Sequence, residues 1–125
     1  MAEPSPSVLL VDDDPYTCDL FKLILEHHGL PYHIFQTPAD ALEYLKTQRP
    51  DIIVVDLFLP GIDGYRTHDA IRRLPDMADC KIVATTSYYT ADTQQEVLRR
   101  GFDGYIPKPF EAGELVAYLE RIAQS

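Results

Sequence analysis

The sequence predicts an α/β domain in which five strand–helix repeats build a parallel sheet with helices on both faces. Two observations predict it. Five short runs rich in Val, Ile, Leu and Tyr alternate with segments whose apolar residues recur at helical spacing. The joints between them are short and carry cap and turn residues where helices should begin and end. Strands that return parallel to one another need a crossover of about a dozen residues, and a helix supplies it.

Each element has a local reason. Val8, Leu9, Leu10 and Val11 form a continuously apolar run, as a strand covered on both faces requires. Asp14 then offers a carboxylate to free N–H groups and Pro15 a preset φ, so a helix starts there. Cys18, Phe21, Ile24 and Leu25 mark its buried stripe, and Gly29 ends it. Residues 32–35 make a weaker second strand. Thr37 and Pro38 open the second helix, which buries Ala41, Leu42 and Leu45. Pro50 and Asp51 break the chain ahead of Ile52, Ile53, Val54 and Val55, the most strongly β-branched run present. A loop with Pro60, Gly61 and Gly64 leads into a third helix near 65–74. Residues 82–85 form the fourth strand. The fourth helix, 92–100, has chiefly Val97 and Leu98 as large apolar residues, so it is predicted to be the least firmly packed of the five. A short fifth strand, 104–106, precedes a last helix over 111–123 with Leu115, Val116, Leu119, Ile122 and Ala123 on one face.

A chain of 125 residues with 46% hydrophobic content suits one domain with one buried core system. No apolar run is long enough to span a bilayer, so no membrane association is expected. Residues 1–7 lack the basic and apolar regions of a secretory signal; they are expected to be a disordered lead-in to a domain over 8–125, with the cytoplasm as compartment. The net charge of −9 opposes a phosphate backbone and argues against direct nucleic-acid binding. Cys18 and Cys80 belong to no C-x-x-C pair and are expected as free, buried thiols. His27, His28, His33 and His68 have no ligand spacing and are not expected to bind metal.

An open parallel sheet binds ligands in the crevice at the carboxyl ends of its strands. Those ends can be read directly: Asp12, Asp13 and Asp14 after the first strand, Asp56 after the third, Thr86 and Ser87 after the fourth, Lys108 after the fifth. Asp14, directly before Pro15, is the natural helix cap, and Asp12 and Asp13 cannot both share that role. Carboxylates gathered this closely raise one another's pKa unless a cation lies between them. An all-oxygen set without His or Cys suits a hard ion, Mg2+ better than Ca2+ where carboxylates are few. Lys108 and Thr86 add a positive charge and a hydroxyl, which suit a transferring phosphoryl group.

Four segments then resemble the response-regulator receiver domains of two-component signalling: VLLVDDDP over 8–15, PDIIVVDLFLPGIDG over 50–64, Thr86-Ser87, and GYIPKPF over 104–110. The likeness implies a (βα)5 doubly wound, five-stranded parallel sheet in the order 2-1-3-4-5, flavodoxin-like, an order shared by the free-standing chemotaxis regulator. It implies a signalling switch rather than an enzyme, one that assists its own phosphorylation and dephosphorylation. Asp56 is the implied phosphoacceptor, fed by a histidine kinase or histidine phosphotransfer protein. Asp13 and Asp56 are the implied direct Mg2+ ligands, with Asp12 acting through water and the backbone carbonyl of Phe58 completing the set. Lys108 and Thr86 are the implied partners of the phosphoryl group, and Ser87 leaves room where the family prefers a very small residue. Tyr105 is the implied rotamer switch, and Lys108–Pro109 the implied cis peptide. Phe58 and Tyr88, each two residues beyond a site residue, stand where the family places gates on the attacking water. The implied output surface, for a partner or a second copy, is the fourth helix with the fifth strand and fifth helix.

Two other classes share parts of the pattern. Asp12-x-Asp14 imitates the opening motif of haloacid-dehalogenase phosphatases, but Pro15 and the chain length argue against that core. An FMN-binding flavodoxin-like domain needs a Gly/Ser/Thr phosphate loop, where this chain has three carboxylates that repel phosphate.

Overall fold

The structure, a computed structural model, describes residues 5–59 and 61–125. Five strands and five helices alternate: β1 Val8–Val11, α1 Pro15–His27, β2 Tyr32–Phe35, α2 Pro38–Leu45, β3 Ile52–Asp56, α3 Gly64–Arg72, β4 Lys81–Thr86, α4 Thr93–Arg99, β5 Gly104–Pro107 and α5 Ala112–Ala123. All neighbouring strands run parallel, in the order β2-β1-β3-β4-β5. The chain reverses its winding between β1 and β3, which opens a crevice at the carboxyl ends of those two central strands.

Alternation along each strand divides the core into two layers. Leu10, Val54, Val83 and Ile106 face α1 and α5, where Phe21, Leu25, Leu115 and Leu119 cover them. Leu9, Ile53, Ile82 and Ala84 face α2, α3 and α4, which supply Ala41, Leu45, Ile71 and Val97. Burying a side chain such as Phe21 contributes roughly 1.5–3 kcal/mol. The joints behave as the capping chemistry dictates. Asp14 accepts from Thr17 N at 3.2 Å and Thr37 from Asp40 N at 3.2 Å. Gly29 takes φ 73°, a left-handed conformation that closes α1 at little steric cost.

Several boundaries moved. Asp63, not Tyr65, opens α3, its Oδ1 accepting from Arg66 N at 2.9 Å. Glu111 caps α5 rather than joining it, and its carboxylate accepts from Glu114 N at 2.8 Å. The fourth helix is shorter than the sequence suggests, and Leu98, counted among its apolar residues, faces solvent; Val97 alone of α4 is buried. Residues 1–4 of the expected lead-in, and Pro60, lie outside the described residues. Ser7 is tied to the fold: its N–H donates to Asp51 Oδ2 at 2.8 Å, and Asp51 N donates back to Ser7 Oγ at 3.0 Å.

Both cysteines are free and buried, and burial pushes Cys18 up to about 11 and Cys80 up to about 12, which leaves them unreactive thiols. Among the described residues no helix is long and apolar enough to cross a membrane.

Candidate functional site

Register explains why the acidic residues meet. Val11 pairs with Val55 across β1 and β3, so the next residue on each strand, Asp12 and Asp56, emerges side by side in the crevice. Asp12 is fully buried, and its Oδ1 accepts from Asp14 N at 2.9 Å. Asp56 is buried as well, and its Oδ1 accepts from Phe58 N at 2.9 Å. Asp13 stands exposed at the rim. One oxygen from each of the three carboxylates can lie within 4.8 Å of the others.

Lys108 arrives from the end of β5. Its Nζ is 3.0 Å from Asp56 Oδ2 and 2.6 Å from Asp12 Oδ2. The contact with Asp56 is a directed hydrogen bond. That with Asp12 is an ion pair off the hydrogen-bonding direction, so Asp12 Oδ2 is buried without a directed donor. The Lys108–Pro109 peptide is cis, and Lys108 N donates to Thr86 O at 3.0 Å. Thr86 is buried, its hydroxyl accepting from Tyr88 N at 3.0 Å, while Ser87 and Pro109 are exposed. Tyr105 is half-buried, and its hydroxyl is enclosed without any partner. Phe58 and Tyr88 are exposed but pack edge-to-face, ring centroids 5.4 Å apart at 76°, and line one cleft beside the acidic crevice.

Charge and burial compete here. Burial raises Asp12 to about 6; Lys108 and the Asp14 N–H pull against this, and the Asp56 charge adds to it. Burial also works against the Lys108 charge, but the contacts with Asp12 and Asp56 outweigh it and leave that ammonium above its ordinary value. Three carboxylates face one ammonium, and one buried carboxylate oxygen lacks a directed donor. Such a set, all oxygen and over-negative, fits a hard divalent cation such as Mg2+.

The structure therefore brings Asp12, Asp13, Asp56, Lys108 and Thr86 to one sheet edge, with Phe58 and Tyr88 over its rim. Two features of the crevice escaped the sequence. Lys108 touches Asp12 directly as well as Asp56. Gly64 packs against the backbone of Asp56 and Leu57, where a Cβ would lie 2.6 Å from Leu57 Cα, so only glycine fits. A glycine just after the Asp63 cap hinted at such a close approach without saying what it meets.

Known proteins share this fold and part of its sequence. Residues 8–120 match the response regulator receiver domain family. A 14.6 kDa protein from the sodA1 3' region of Leptolyngbya boryana is 32% identical over 91% of this chain and 87% of its own length. The DNA-binding response regulator MtrA of Mycolicibacterium smegmatis is 35% identical over 88% of this chain, which spans only 47% of that protein. Among solved structures, the receiver domain of sensor histidine kinase PA1611 from Pseudomonas aeruginosa, with a magnesium ion coordinated in its active-site cleft, superposes with a TM-score of 0.85. It is 28% identical and covers 98% of this chain and 100% of its own. A putative response regulator from Chloroflexus aurantiacus gives a TM-score of 0.88 at the same identity and coverage. Receiver domains of response regulators act with histidine kinases and output domains as switches of two-component signalling. The chain belongs to that family, the response regulator receiver domains.

Proposed function

We propose that this domain accepts a phosphoryl group on Asp56, in the presence of Mg2+, from a histidine kinase or histidine phosphotransfer protein. The observation that carries the reading is Lys108 Nζ, 3.0 Å from Asp56, among three converging carboxylates. The Asp56 carboxylate attacks the phosphorus of the donor phosphohistidine. A P–O bond forms as the P–N bond breaks, and the imidazole leaves, taking a proton from solvent. Asp13 and Asp56, with the Phe58 carbonyl and with Asp12 through water, would hold the Mg2+, which when bound would offset negative charge on the phosphoryl oxygens.

Phosphorylation adds roughly 1–2 negative charges to a site already acidic. Lys108 absorbs part of that charge, and the Thr86 hydroxyl turns toward the new oxygens beside Ser87. Tyr105 supplies the mechanical readout. Its enclosed, unpartnered hydroxyl costs about 1–3 kcal/mol where it lies, so its rotamer is poised to change once Thr86 moves. The change is expressed on the α4-β5-α5 face, which contacts an output partner or a second copy of the chain. The weak seating of α4 through Val97 alone makes that face the natural element to shift.

Intact-mass analysis after incubation with Mg2+ and a small phosphoryl donor tests the proposal. One added phosphate on the wild type and none on Asp56→Asn is the expected result; phosphate on both would overturn it. Phosphorylation at Asp12 instead would favour the phosphatase-like chemistry that Asp12-x-Asp14 imitates.

A further inference from the structure

β5 is an edge strand, yet its outer side offers no free N–H. In a parallel ladder the N–H groups of alternate residues reach the neighbouring strand. Lys108 N reaches Thr86 O, so the groups at 105 and 107 point away from the sheet. Position 107 is a proline and has no N–H. At 105 the N–H is taken from outside the sheet: it donates to the Tyr118 hydroxyl of α5 at 2.9 Å. Gly104 makes the approach possible, because a Cβ there would run into that hydroxyl and stand 3.1 Å from Tyr118 Cζ. The Arg121 guanidinium lies 5.3 Å above the Tyr118 ring, on the same helix, and Tyr118 lines a groove between β5 and α5 with Ile106, Pro107, Phe110 and Leu115.

The residue held in this way also has its own side-chain hydroxyl enclosed without a partner. We propose that Tyr118 is a positioning residue of the switch: its hydroxyl fixes the Tyr105 backbone to α5, so that the Tyr105 side chain turns on an anchored strand and its turning is passed to α5. This rests on the switch role of Tyr105 proposed above. With Pro107, the same contact leaves this edge no outward N–H for an added strand. Partners therefore meet this face through side chains and not as an added strand.

Tyr118→Phe, which removes a single oxygen, tests the proposal in the intact chain. In protein without Mg2+ or phosphoryl donor, hydrogen exchange at the Tyr105 amide is expected to quicken about tenfold, the loss of one hydrogen bond. An unchanged rate overturns the anchoring. With Mg2+ and a small phosphoryl donor, the wild type is expected to shift the NMR amide signals of both Tyr105 and residues 112–123. In Tyr118→Phe the shift at 105 persists and that at 112–123 falls at least twofold, with Asp56 phosphorylated to the same extent. A full α5 response in the variant refutes the coupling. No response at Tyr105 in the phosphorylated wild type refutes the switch role instead, and the exchange rate still judges Tyr118 on its own.

Discussion

At the scale of single residues the crevice is held in tension by Asp12. Its carboxyl is raised to about 6 against an ordinary 3.8, chiefly by burial. Between those values the folded protein binds more protons at this position than the unfolded chain does. The stabilising contribution is therefore fully present below 3.8 and lost as pH rises through 6. Above 6 the ionised Asp12 is a standing cost, and a cation relieves it. Asp12→Asn is accordingly expected to stabilise the metal-free protein by about 1–3 kcal/mol at pH 8 and to gain nothing near pH 4. Urea unfolding of both proteins at the two pH values measures this, and a pH-independent difference would contradict it. The same substitution should reduce the stabilisation that Mg2+ confers. The role we propose for Phe58 and Tyr88 is a different one, that of a screen. Their edge-to-face contact puts two rings at the mouth of the site. Opening it with Phe58→Asn together with Tyr88→Ala is expected to speed loss of the phosphoryl group about tenfold, worth about 1.4 kcal/mol in barrier. Following dephosphorylation by intact mass decides the point, and an unchanged rate rules out the screen.

At the scale of elements the helices differ in how they are seated. α1 inserts Cys18, Phe21, Ile24 and Leu25, and α5 inserts Leu115, Val116 and Leu119, whereas α4 offers Val97 alone. Side chains around α4 give it additional ties. Arg100, just past its end, stacks over the Tyr65 ring at 4.4 Å, and His68 of α3 approaches Gly101 O at 3.2 Å. Both ties leave from the carboxyl end of the helix, so the amino end, near Thr86 and Tyr88, is the freer one. Native-state hydrogen exchange is expected to open α4 well before α1 or α5, from its amino end inward. Equal protection in all three helices would mean that α4 is not the mobile member of the proposed output face.

At the scale of the whole molecule, Arg72 ties distant segments together. One guanidinium nitrogen donates to Met77 O at 2.9 Å and Cys80 O at 2.8 Å, and the other meets Asp103 Oδ2 at 2.7 Å. Asp103 Oδ2 in turn accepts from Ile82 N at 2.8 Å. A single side chain of α3 thus joins the loop before β4, β4 itself and the entry to β5, at the end of the sheet away from the acidic crevice. Its distance from the crevice predicts a clean separation of effects. Arg72→Ala is expected to cost about 2 kcal/mol of stability while leaving phosphorylation of Asp56 unaltered. Denaturant midpoints and intact mass on the same variant measure the two. A loss of phosphorylation in protein that is still folded would show that the clamp reaches the site.

The local chemistry of the chain determined the elements and the edge on which the site lies. Apolar runs, the Asp14-Pro15 and Thr37-Pro38 caps and the glycine stops act between residues close in sequence, and they transferred to the structure with shifts of a residue or two. Parallel topology then carried Asp12, Asp56, Thr86 and Lys108 to the same edge, because each ends or directly follows a strand. Tertiary packing decided what local signals cannot encode. It turned Leu98 outward, set Lys108 between two carboxylates rather than against one, pressed Gly64 onto the backbone after Asp56, and brought the Tyr118 hydroxyl to the Tyr105 N–H. Each of these depends on the distance between segments far apart in the chain, which is fixed only when the two apolar layers close.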